Sequence, residues 1–128
     1  MLLQSVFLRN ARGLMTKLAE LKLSLFHTLP SVICITETHL ENWHSPRFSG
    51  YRTYRQDRAD GYEGLLILVG AHLQQRVVAL EPFADGQMQT LAVDIAHMGS
   101  WSKILLFYIP CIPITQTEFE HYFSHIGP

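Results

Sequence analysis

Residues 30–40, PSVICITETHL, constrain the fold of this chain more than any other stretch. Val32 to Thr36 are apolar or β-branched and carry no charge, which suits a strand buried on both faces. Glu37 follows at once. A carboxylate placed where such a strand runs out lies at the carboxyl end of a sheet, where open α/β folds put their ligand crevices. Held on a rigid strand end, it suits a hard divalent cation such as Mg²⁺, which prefers carboxylate, water and substrate phosphate to an all-protein cage. A solvated acid that merely ends a strand has the same local sequence, so these eleven residues leave both readings open.

The stretch before it supplies the topology. Leu2 to Leu8 reads as a first strand closed by Asn10, and from Gly13 the apolar period lengthens. Leu14, Leu18, Leu21, Leu25 and Leu29 recur every three or four residues, which predicts one face of an amphipathic helix. Pro30 ends that helix, because its ring disfavours the α region for the residue before it. Strand, helix and buried strand make a βαβ unit with parallel strands, so both carboxyl ends fall on one edge. Asn10 and Glu37 are therefore expected to be neighbours although the whole helix separates them in sequence.

Beyond Leu40 the chain reads as a loop over residues 41–50, anchored by Trp43 and Phe48, followed by strands at Tyr51–Arg55, Gly64–Val69, Gln74–Leu80, Met88–Ala96 and Ser102–Tyr108. The last strand delivers Tyr108 to its carboxyl end. Thr115 to Ile126 suits a short helix, with Thr115 as N-cap and Glu118 at the capping-box position. The whole is an α/β chain with a mixed sheet, and 128 residues fit one domain that buries about two-thirds of its unfolded surface.

A net charge of −1, from ten Lys and Arg against eleven Asp and Glu, gives no global attraction to nucleic acid. Any attraction is local, and Arg47, Arg52, Arg55 and Arg58 form the one basic cluster, which an ordinary solvated face would equally explain. Cys34 and Cys111 have neither metal-ligand spacing nor the density of a disulfide scaffold, which predicts a reduced intracellular setting, nuclear or cytoplasmic. No apolar run reaches the roughly 18 residues needed to cross a bilayer, so no membrane partner is expected. The seven histidines lack zinc-site spacing.

In order, N-A-R-G-L from Asn10, P-x-V-I-C-I-T-E-T from Pro30, Gly50-Tyr51, R-x-D-R from Arg55, a glycine before a hydrophobic strand, and F-Y-x-P from Phe107 resemble the first half of the endonuclease/exonuclease/phosphatase superfamily. The closest resemblance is to the apurinic-like endonuclease domain of non-LTR retrotransposon polyproteins. It implies a partial DNase I-like α/β sandwich with outer helices, and residues 1–128 as a single partial domain. It also implies Mg²⁺- or Mn²⁺-dependent hydrolysis of DNA phosphodiesters: Glu37 as metal ligand, Asn10 and Tyr108 as catalytic residues that orient and contact the scissile phosphate, and Arg52, Arg55 and Arg58 near bound DNA.

Departures from the family pattern qualify these expectations. Ser31 stands where the family usually has aspartate, and Tyr62-Glu63-Gly64 where it has a run of glycines. The 128 residues contain neither the G-D-x-N nor the S-D-H motif, which in family terms supply the remaining acid, amide and imidazole groups. The chain is thus expected to be an inactive fragment that binds metal weakly, with apolar sheet surface open to self-association. A non-catalytic nucleic-acid- or protein-binding module is the alternative. A phosphatase or phosphodiesterase branch of the same superfamily would need the same absent motifs.

Overall fold

The computed structural model describes residues 5–58, 61–80, 88–97 and 99–108. Its strands are β1 (Val6–Asn10), β2 (Val32–Thr36), β3 (Tyr51–Gln56), β4 (Leu65–Gly70), β5 (Gln75–Val78), β6 (Gln89–His97) and β7 (Ser100–Tyr108). Between β1 and β2 run a 3-10 turn, Met15–Lys17, and the helix α1, Leu18–Thr28. The first sheet has the order β1-β2-β4-β3 and the second β5-β6-β7. β1 and β2 are parallel and in register from Val6↔Val32 to Asn10↔Thr36, while β4 runs antiparallel to both β2 and β3. The first sheet is therefore mixed, as the βαβ reading requires. The segment 115–126 lies outside the described residues.

β2 carries no polar alternation because it faces a core on each side. Ile33 and Ile35, with Leu66 and Leu68 of β4, pack beneath Leu14, Leu21 and Leu25. Val32 and Cys34, with Leu65, Ile67 and Val69, pack against Leu91, Val93, Ile95 and Leu106 of the second sheet. Period-2 geometry sends successive side chains into alternate cores, and each fully buried aliphatic contributes about 1.5–3 kcal/mol. The outcome is an α/β sandwich: α1 outside, then two sheets face to face.

The helix is shorter than its leucine period. Leu29 adopts a left-handed conformation (φ 47°) and its N–H caps the Leu25 carbonyl at 2.9 Å. That turn swings Leu29 out of the apolar stripe, leaving it 70% exposed. In the loop before β3 only one of the two expected anchors is buried: Phe48 joins the core beneath α1, whereas Trp43 is exposed and its ring lies on His44, centroids 3.8 Å apart.

Burial pushes the Cys34 thiol up from 9.0 to about 11. An acid whose pKa is raised by folding adds stability in full below its unfolded value and loses it as pH rises through the folded one. Cys34 alone should therefore cost about 2–3 kcal/mol of stability between roughly pH 9 and 11, a contribution that Cys34→Ala should remove, leaving the smaller fall at higher pH that comes from Tyr51, whose hydroxyl burial also pushes up. Urea denaturation at a series of pH values reads both.

Candidate active site

The carboxyl edge of the first sheet is where the parallel pair brings Asn10 and Glu37 together. Asn10 is the last residue of β1 and sits opposite Thr36; Glu37 is the next residue of the chain. The Asn10 amide nitrogen donates a hydrogen bond to Glu37 Oε2. Beyond the strand ends the two chains stay fastened: Ala11 N donates to Thr36 O, Gly13 N to Glu37 O and Leu14 N to Thr38 O, each at 2.9 Å. This continuation of the parallel ladder fixes the backbone beneath both functional groups.

The local backbone is strained. Among the described residues five non-glycine positions have positive φ, and four of them, Arg12, Glu37, His39 and Glu63, lie in the loops at this edge. Such conformations persist only where surrounding contacts overdetermine them, and they concentrate at functional sites. The contacts are present here. His39 N donates to Glu63 O at 2.7 Å and Thr38 N to Gly64 O at 3.3 Å, so loop 37–39 is held from both sides.

Thr38 ties this edge to the second sheet. Its side chain is fully buried, and Oγ1 has no hydrogen-bond partner among the described residues. Gly64, at φ +99°, makes room for it, since a Cβ there would stand 2.3 Å from Thr38 Oγ1. Gly64 N in turn donates to Gln89 Oε1 at 2.7 Å, and Gln89 is the register partner of Tyr108. The end of β7 therefore reaches the same end of the sandwich as Glu37. Tyr108 is half-buried and packs against the core between the sheets.

The arginines do not form one face. On β3, Arg52 lies opposite Val69 and Arg55 opposite Leu66, residues that face different cores, so the two side chains leave opposite sides of the sheet. Arg55 holds the Asp57 carboxylate at 2.7 and 3.2 Å and donates to the carbonyls of Glu41 (2.9 Å) and His44. Its guanidinium is a structural clamp on loop 41–44. Arg58 follows β3 to the Glu37 edge and bonds Glu63 at 2.8 Å. Arg52 is exposed at the far end of the sheet, level with the start of β2.

Two residues at the edge escaped sequence reasoning. Arg12 sits in the turn between Asn10 and Gly13, exposed and with no hydrogen bond or ion pair among the described residues. His39 lies two residues past Glu37, its ring edge-on to Tyr62 with centroids 6.3 Å apart. The signal for each was adjacency to a strand-end polar group.

The donor set bears on any metal. Among the described residues no three His, Cys, Asp or Glu side chains cluster. A single carboxylate steadied by an amide suits a weakly held, largely hydrated Mg²⁺ or Mn²⁺ completed by substrate oxygens, and does not suit zinc.

No family model matches the sequence, and no curated protein is significantly similar to it. Solved structures do match. The AP endonuclease LMAP of Leishmania major superposes with a TM-score of 0.66 at 18% identity, over 94% of this chain and 44% of that one. The endonuclease domain of TRAS1, a telomere-specific non-LTR retrotransposon, gives 0.65 at 17% over 94% and 52%, and an AP endonuclease from Archaeoglobus fulgidus 0.63 at 18% over 98% and 48%. The chain spans about half the length of these structures.

Proposed function

We propose that this chain, whose fold is that of one half of an endonuclease/exonuclease/phosphatase superfamily domain, carries half of a metal-dependent phosphodiesterase site acting on DNA. The observation that carries the reading is the Asn10–Glu37 hydrogen bond on a rigid, strained sheet edge. Glu37 is the metal ligand. Asn10 orients the Glu37 carboxylate and the scissile phosphate, and Tyr108, brought to the same end through Gln89 and Gly64, contacts that phosphate. When bound, Mg²⁺ or Mn²⁺ would supply Lewis-acid polarisation of a phosphate oxygen. The likeness to a retrotransposon endonuclease domain supports a retroelement nuclease as the parent activity.

The 128 residues by themselves are catalytically silent on this reading. Loss of one general base costs a hundredfold or more, on the order of 10²–10⁴, and the acid, amide and imidazole of two motifs are not among these 128 residues. Two measurements test the proposal together. Mn²⁺ titration followed by water-proton relaxation should show weak binding that Glu37→Gln abolishes while the circular dichroism stays native. Supercoiled plasmid with Mg²⁺ should remain unnicked. Mn²⁺ binding indifferent to Glu37→Gln sinks the site, and nicking that disappears with that substitution shows the half-domain to be active.

A further inference from the structure

We infer that Arg12 is a positioning residue that holds a backbone phosphate of nucleic acid beside the Asn10–Glu37 pair. This deepens the proposed function and rests on its choice of site. Arg12 stands at the centre of the turn that leaves β1, two residues after Asn10, at φ +48°. The turn cannot drift, because Ala11 N and Gly13 N on either side of it are bonded at 2.9 Å to the Thr36 and Glu37 carbonyls. Gly13, at φ +104°, lets the chain take a second positive φ in succession. A long cationic side chain is thus carried on the backbone that also fixes Glu37.

The guanidinium is available. Other arginines are spoken for: Arg9 by Glu20 at 2.9 Å, Arg55 by Asp57, Arg58 by Glu63, and Arg76 by Asp94 and the Trp101 ring. Arg12 makes no ion pair among the described residues, even with Glu37, whose carbonyl is one residue away along the turn. Arg47 and Arg52 are exposed too, but both lie toward the opposite end of the sheet, beside Phe48 and Val69. Among the described residues Arg12 is therefore the one uncommitted arginine at the edge that bears Glu37.

An uncommitted arginine beside a carboxylate pairs best with a planar or tetrahedral oxyanion. Its fork takes two oxygens at once, which fixes orientation as well as charge. A phosphodiester entering this edge would meet a carboxylate suited to a cation and, carried on the adjoining turn, a cation suited to its own oxygens. Arg12 adds affinity that does not depend on base sequence.

Fluorescence anisotropy of a short labelled DNA duplex, with Mg²⁺ and with chelator, tests the assignment on the full chain. Each phosphate contact contributes about 0.9 to the slope of log affinity against log salt. Arg12→Gln should lower that slope by about one contact, so that between about 50 and 200 mM salt it loses about 3.5-fold less affinity than the parent. Arg12→Lys should keep the slope, and Arg47→Gln should leave it unchanged. An unaltered slope in Arg12→Gln, while Glu37→Gln still removes the Mg²⁺ enhancement, overturns Arg12 and spares the metal site. A lowered slope with no Mg²⁺ or Glu37 dependence upholds Arg12 and overturns the metal site. Absence of salt-dependent binding by the parent chain overturns the inference outright.

Discussion

Gly64→Ala is expected to destabilise the chain by about 3 kcal/mol, since a new methyl in a tightly filled site and a forbidden backbone each cost about 1–3 kcal/mol. Gly64 has φ +99°, outside what an L-residue adopts readily, and its Cβ would stand 2.3 Å from Thr38 Oγ1. Thr38 is fully buried and cannot swing into solvent. The loss should appear as a fall in melting temperature of about 11 °C for a domain of this size. Thr38→Ala combined with Gly64→Ala should recover the steric part and leave the backbone part, giving a favourable coupling in a double-mutant cycle. Because Gly64 joins loop 37–39 to Gln89, the substitution should also weaken Mn²⁺ binding at Glu37. A Gly64→Ala variant within about 0.5 kcal/mol of the parent, the range of an ordinary surface change, would contradict the close approach of Thr38 to Gly64.

Arg55→Ala should cost about 2–3 kcal/mol of stability and leave DNA affinity near that of the folded parent. Its side chain is 24% exposed and its donors are committed to Asp57 and to the carbonyls of Glu41 and His44. Removal strands a carboxylate that is 20% exposed and two loop carbonyls, and hydrogen bonds involving charged groups are worth about 1.5–3 kcal/mol each before relaxation. Arg55→Lys should recover only part, since an ammonium cannot reproduce the planar fork that holds both Asp57 oxygens. Chemical denaturation measures the first effect and anisotropy below the unfolding transition the second. Native stability accompanied by a lost salt slope would return Arg55 to the nucleic-acid surface.

Arg55 also shows where sequence reading stops. Four arginines within twelve residues look like one basic patch, but in an extended strand an odd spacing sends side chains to opposite faces. Arg52 and Arg55 differ by three and part accordingly. The leucine period overran the helix for a related reason: periodicity marks which residues could face the core, while the left-handed cap at Leu29 decides where the chain turns away. Trp43 and Phe48 are equally apolar in sequence, and only the seat of the loop against α1 distinguishes the buried one. Tyr108 ends the last strand, as its apolar run implies, yet its link to Glu37 passes through Thr38, Gly64 and Gln89, side chains and backbone with no mutual signal along the chain.

What the sequence determined by itself was the βαβ unit and the pairing of Asn10 with Glu37. Those follow from local facts: an uncharged β-branched run, a leucine period, a proline, and the rule that parallel strands share their carboxyl edge. The tertiary structure alone decided the strain at Arg12, Glu37 and His39, the space that Gly64 leaves for Thr38, and which arginines are spent on clamps. Each of these depends on atoms far apart in the chain meeting within a few ångströms, and such meetings are set by the packing of two sheets and a helix rather than by any local preference of the backbone.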